Sequence, residues 1–294
     1  MMILARPDID VLALTTVRGN TTTDQVTKNV LRLLKLAGRL DIEVYKGAAA
    51  SLVNQDNPSA SCYHGVDGFG DVPDADPPDY SLVQSEHAVN ALLRLVNQYN
   101  GEINLICLGP LTNVALALRL DPEFGSKLKD CFIMGGNHTG KGNVSMCAEF
   151  NFYADPESAN VVLNELGRVI TLVTWETCID CCLSADFYKR FTTVDSAMAR
   201  FVKEAEENAR SRRTTGDDMW TTIADQLLAA VAVEKSVVTE TKLAYCTVEL
   251  MGAVTRGQMV VDWGWGRGKK ANVKLVLGVD KEKFADLMMT IVER

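Results

Sequence analysis

Short apolar, β-branched runs alternate with amphipathic stretches along most of the chain. Residues 10–17 read as a strand. Residues 23–38 read as a helix, with Val26, Val30, Leu33, Leu34 and Ala37 on one face, Asp24 in the first turn and Gly38 as the stop. Strand patterns recur at 42–45, 105–108, 131–134 and 169–174, and helical ones at 81–98, 113–120 and 157–166. Residues 184–233 turn mainly helical. Strands at 241–250, 259–262 and 273–279 and a closing helix at 281–293 complete the pattern. Such alternation predicts an α/β fold, a doubly wound and mostly parallel central sheet with helices on both faces. No linker or repeat interrupts it, so residues 1–294 are expected to form a single domain.

Composition narrows the function classes. The net charge is −8 over 294 residues, which argues against nucleic acid or an acidic membrane surface as partner, because both need concentrated positive charge. No apolar run reaches membrane-spanning length. Residues 1–5 lack the basic flank and apolar stretch of a signal peptide. Several of the eight cysteines lie inside apolar strand patterns, as buried free thiols do. The expectation is a cytoplasmic protein acting on a small molecule.

In sheets of this kind ligands bind beyond the C-terminal strand ends. The polar residues there are Gly19-Asn20, Gly109-Pro110-Leu111-Thr112-Asn113, Met134-Gly135-Gly136-Asn137, Gly142-Asn143 and Ala148-Glu149-Phe150-Asn151. Residues 54–80 form a long loop carrying Tyr63-His64-Gly65, and a loop of that length in a compact domain is usually functional. Asp225 opens a later apolar helix. Amides, carboxylates and one imidazole suit a ligand with several hydroxyls, such as a sugar.

These motifs, with Asp155-Pro156-Glu157 and Thr255-Arg256-Gly257-Gln258, resemble the inosine–uridine-preferring nucleoside hydrolase family in order and spacing from about Met1 to Val279. The resemblance implies hydrolysis of the N-glycosidic bond of a ribonucleoside to base and ribose. It also implies a calcium ion holding the ribose hydroxyls and a water, and a homodimer or homotetramer. Carried over position by position, Asn20 is a ribose-side amide, His64 a pocket histidine and Met134 a wall of the sugar pocket. Asn143 and Glu149 grip the 5′-hydroxyl, and Asn151 meets the ring-side hydroxyls. Thr112 offers calcium its backbone carbonyl. Asp225 ligates calcium, accepts a ribose hydroxyl and is the catalytic candidate.

Two departures qualify that expectation. The family opens on a strand and an aspartate-rich loop that supply the water-activating base and further calcium carboxylates. Met1 here aligns inside the helix after that strand, so the resemblance implies an N-terminally truncated domain without its first strand, and an upstream exon encoding it is expected. Asp8 and Asp10 match a turn on the opposite side of the sheet and are no substitute. With only Thr112 and Asp225 left, calcium is expected to be weakly held or absent. Second, Ala224 stands where members of the family carry a histidine that protonates the departing base. Tyr63, Phe150 and Trp220 either stack the base instead or are ordinary core and rim aromatics. The alternatives to an enzyme are a non-catalytic nucleoside- or ribose-binding relative, or an inactive truncated isoform.

Other features read as ordinary structure. His87 falls on a helix face and His138 in a loop. Cys178-x-x-Cys181-Cys182 lacks a partner pair for zinc. Residues 264–269 lack the context of a phosphate loop. The helix at 195–213 presents a solvated charged face, and residues 212–218 are a candidate lid over the pocket.

Overall fold

A computed structural model describes residues 1–53, 60–211, 223–264 and 268–293. A 3-10 turn at Ile3–Ala5 precedes β1 (Ala13–Thr15), α1 (Thr23–Leu36), β2 (Glu43–Tyr45), α2 (Ser61–His64) and β3 (Val83–Gln84). Next come α3 (Ala88–Gln98), β4 (Asn104–Cys107), α4 (Thr112–Leu120), β5 (Asp130–Met134), α5 (Phe150–Ala154), α6 (Pro156–Glu165) and β6 (Ile170–Val173). A helical run follows, α7 (Trp175–Asp180), α8 (Ala185–Thr192), α9 (Ala197–Ser211) and α10 (Ala224–Val233). The last elements are β7 (Val238–Val248), β8 (Met259–Asp262), β9 (Val273–Val279) and α11 (Lys281–Met289).

The strands form a parallel three-stranded sheet, β1-β2-β3, and a six-stranded sheet in the order β4-β5-β6-β9-β7-β8. The larger sheet is parallel from β4 to β9, and β7 runs antiparallel to both β9 and β8. Register aligns Ile133 with Leu172 and Leu172 with Leu275, a row across the sheet. These side chains face a core shared with Leu92, Leu118 and Leu163 of α3, α4 and α6. Phe132, Met134, Val173 and Val276 face the other side, against Phe187, Leu227, Leu228 and Phe284. Each fully buried Leu or Phe contributes about 1.5–3 kcal/mol, so both helical layers are held by the sheet. The expected mostly parallel sheet with helices on both faces is found.

Local differences have local causes. Residues 81–98 are not one helix. A 3-10 turn at Tyr80–Leu82 leads into β3, which pairs with β2, and α3 starts only at Ala88. His87 is the N-cap of α3 rather than a helix-face residue; its Nδ1 accepts from the Val89 amide at 3.3 Å. The strand expected at 10–17 shortens to three residues. Among the described residues β1 pairs only with β2, and β4 only with β5. Side chains join those two edges instead. Asn113 Nδ2 donates to Thr16 O at 2.9 Å, and its Oδ1 accepts from the Ala48 amide at 2.9 Å. The N-terminal turn is fixed by tertiary packing, with Met2 2% exposed in the second core. No described helix is long and apolar enough to cross a membrane.

Candidate functional site

The C-terminal ends of β4, β5 and β6 and the start of α10 surround one group of side chains. Glu149 caps α5, and its carboxylate accepts from the amides of Asn151 (2.8 Å), Gly136 (2.8 Å) and Phe152 (3.2 Å). It is 2% exposed. The two glycines after β5 let this happen: a Cβ on Gly135 would lie 2.7 Å from the Phe152 ring, and Gly136 has φ +65°. Asn151 turns its amide back onto the strand ends, donating to Met134 O at 3.0 Å and Leu108 O at 3.5 Å. Met134, 3% exposed, closes the wall behind it.

Asp225 lies in the first turn of α10. The residue is exposed on the surface, and the density of protein packed around its carboxyl, rather than exclusion from solvent, pushes it up to about 7. Burial likewise raises Glu149 to about 7, against its three amide donors and with help from the negative charge of Asp225. Burial first, then the charges of Asp225 and Glu149, push the Cys178 thiol well up. The two carboxyls and the thiol therefore share one electrostatic neighbourhood. A buried Cys178 so disfavoured as thiolate is inert, in keeping with an incidental cysteine cluster.

Thr112 opens α4 and is 3% exposed. Its hydroxyl donates to Asp155 Oδ2 at 2.6 Å, and Asp155 also accepts from the Leu52 amide at 3.0 Å. Asp155, N-cap of α6, thereby anchors the loop after β2. Asn20 and His64 form a second group beside the end of β1. The Asn20 carbonyl accepts from the Ala60 amide at 3.3 Å, which sets α2, and His64 ends that helix. Tyr63 is exposed and meets the His64 ring edge-on at 4.5 Å. Phe150 is half-buried at the start of α5, and Asn143 is exposed in the loop before it. Ala224 heads α10, where a methyl group offers no proton. Trp220, the lid candidate 212–218 and the centre of the 264–269 loop lie outside the described residues.

Of the donors expected around calcium, the Thr112 carbonyl and the Asp225 carboxylate are present, one of each. Among the described residues no three His, Cys, Asp or Glu side chains are placed to hold a metal ion. Calcium takes about 6–8 oxygens, so this donor set does not fit it.

Four further residues matter here. Asn113 and Asp155 belong to the motifs quoted above, yet their work is to tie loops together. Glu176, in the first turn of α7, is 2% exposed and binds the loop after β5. A carboxylate two residues beyond an apolar strand was its available signal. Arg18, at the end of β1, has a buried Nε with no hydrogen-bond partner among the described residues.

With this geometry in place, comparison with known proteins is informative. The family model described as inosine-uridine preferring nucleoside hydrolase matches residues 1–286. An inosine-uridine preferring nucleoside hydrolase of Leishmania major is 32% identical over 291 residues, 98% of this chain and 90% of the relative. A pyrimidine-specific ribonucleoside hydrolase of Escherichia coli is 31% identical, covering 98% of this chain and 91% of the relative. Among solved structures, an inosine-guanosine nucleoside hydrolase superposes with a TM-score of 0.90 at 32% identity, covering 99% of this chain and 93% of the other. A plant nucleoside hydrolase gives 0.88 at 29%, covering 100% and 94%. The glycine-rich strand ends, the Glu149 cap and the Asp225 helix thus sit on a shared scaffold, and the chain belongs to the inosine-uridine preferring nucleoside hydrolase family.

Proposed function

We propose that this protein binds a ribonucleoside at the C-terminal ends of β4–β6 and hydrolyses its N-glycosidic bond to base and ribose. One observation carries this: at the strand ends the buried Glu149 carboxylate is held by the Gly136 and Asn151 amides, beside the Asn151 side chain on Met134 O, and the charge of Asp225 on another element reaches it. In this site Glu149 and Asn143 hold the 5′-hydroxyl, Asn151 and Asn20 the ring-side hydroxyls, and Met134 the sugar face. His64 stands at the sugar rim, and Phe150 with Tyr63 offers faces to the base.

Negative charge beside the ribose favours the oxocarbenium-like transition state of glycoside cleavage. Asp225 supplies it, and a carboxyl that titrates near 7 can accept a hydroxyl or water proton near neutral pH. The base must leave without a proton from Ala224, so stacking and solvent carry that step. The family resemblance implies calcium, with the Thr112 carbonyl and Asp225 as its donors. Because those two alone do not fit calcium, a second reading has specific support: binding of a nucleoside or ribose without turnover.

One experiment separates the two. Release of base and ribose from inosine, guanosine and uridine is measured with calcium and with chelator, alongside calorimetric binding of the same nucleosides. Turnover supports the hydrolase, and binding without turnover supports the binding protein. Neither binding nor turnover rejects both. Asp225→Ala should abolish turnover and any calcium titration; an unchanged titration contradicts the role given to Asp225. The chain is taken as one domain over 1–294, acting in the cytoplasm as a homodimer or homotetramer, and light scattering in solution tests that assembly.

A further inference from the structure

Glu176 is a buried carboxylate for which the reaction above has no use. It sits at the start of α7, and its oxygens accept mainly from the loop after β5. They accept from the amides of His138 (2.8 Å), Thr139 (2.8 Å) and Lys141 (3.2 Å), and from the Thr139 hydroxyl (2.9 Å). The His138 ring closes the other side, with Nδ1 3.3 Å from Glu176 and 2.6 Å from Thr174 Oγ1. Burial pushes this carboxyl up, but the amides of His138 and Thr139 and the remaining donors outweigh it and hold it below the ordinary range. Successive backbone N–H groups folded around one anion make a strong, directional clamp.

What the clamp holds leads into the site. The clamped residues continue into the loop that carries Asn143 and Glu149. Asn137, fully buried, ties this loop to itself through Lys141 O (3.1 Å) and Cys147 O (2.5 Å). The Asn143 amide donates to Ala148 O at 3.1 Å. These bonds knit the loop to itself, and among the described residues its outside anchors include Cys147 Sγ on Val254 O (3.2 Å) and the His138 ring on Thr174. Met259 N donates to Asn137 Oδ1 at 3.1 Å, and Trp175 N donates to Gly136 O at 3.0 Å. Glu176 supplies four bonds.

We infer that Glu176 is a positioning residue that fixes the loop 136–149 and thereby sets the grip of Asn143 and Glu149 on the 5′-hydroxyl of the substrate. This rests on the binding site proposed above. A merely structural carboxylate would weaken every nucleoside alike, whereas a positioning residue acts through one hydroxyl.

The test compares wild type, Glu176→Gln and Thr139→Val. Gln keeps one acceptor oxygen but turns an NH2 toward amide donors. Thr139 is exposed, so its substitution removes one bond without threatening the fold. Binding of inosine and of 5′-deoxyinosine is measured by calorimetry, and amide hydrogen exchange is followed across 135–149. For Glu176→Gln we expect inosine binding to weaken about 10-fold, the scale of one charge-assisted hydrogen bond. The 5′-deoxyinosine affinity should stay within about 2-fold. Exchange at His138, Thr139 and Lys141 should quicken about 10-fold or more, and Thr139→Val should move the same readouts less. Equal weakening of both ligands overturns the positioning role while leaving the nucleoside site standing. Unchanged exchange overturns the clamp itself. If wild type binds neither nucleoside, the proposed site fails and the positioning role with it.

Discussion

The titration of Glu149 gives the sharpest test of the site's electrostatics. Its carboxyl rises from an ordinary 4.5 to about 7, because burial outweighs three amide donors and the charge of Asp225 adds to it. The folded state thus binds this proton more tightly than the unfolded chain does. Its stabilisation is fully present below about pH 4.5 and is lost as pH rises through about 7. That interval, at ~1.36 kcal/mol per pH unit, amounts to about 3 kcal/mol. Glu149→Gln removes the titration. It also turns an NH2 toward the Asn151 amide held by Oε1, or toward the Gly136 and Phe152 amides held by Oε2, leaving at least one buried donor unpaired at about 1–3 kcal/mol. Urea unfolding at pH 5, 6, 7 and 8 should therefore find the variant clearly weaker at pH 5 and the gap closing by about 2.5 kcal/mol toward pH 8, slightly less than the whole interval because part of it lies below pH 5. Asp225 titrates in both proteins, so it largely cancels in the difference. A gap that stays constant from pH 5 to 8 would refute the argument that burial governs this carboxyl.

The loop ties allow further checks. Asn113→Ala leaves Thr16 O and the Ala48 amide without their buried partner; about 2–5 kcal/mol of stability should be lost in urea unfolding, from two unpaired groups. Thr112→Val removes the bond to Asp155 and should cost about 1–3 kcal/mol. Burial already raises the Asp155 carboxyl, and losing this donor should raise it further, which carboxylate NMR titration would read. At Gly125 an added Cβ would lie 1.9 Å from Leu166 O, so Gly125→Ala should lower the melting temperature by several degrees, and an unchanged melting temperature would mean that the backbone there yields freely.

Much was legible from local chemistry. The alternation of apolar runs with 3.6-residue periodicity fixed a parallel α/β sheet, because a strand buried on both faces is almost wholly apolar, as Cys131–Met134 is and as Ile170–Val173 is but for Thr171. The strand-end motifs pointed to the proposed site for the same topological reason. Periodicity failed at 81–98, where β3 gains its conformation from pairing with β2, a contact some forty residues away in sequence that no local window contains. It also overextended β1, whose ladder stops where β2 stops.

The division within the site follows the same line. Composition and order named Glu149, Asn151 and Asp225, since amides and carboxylates after strands are visible one residue at a time. Only the tertiary structure decided that the charge of Asp225 reaches the buried Glu149 and that both carboxyls titrate near 7, because desolvation belongs to the packed surroundings and not to the residue. It alone assigned Asn113 and Asp155 to holding loops and gave Glu176 a place around His138, Thr139 and Lys141. Those roles depend on distances between segments far apart in the chain, and such distances exist only once the sheet is assembled.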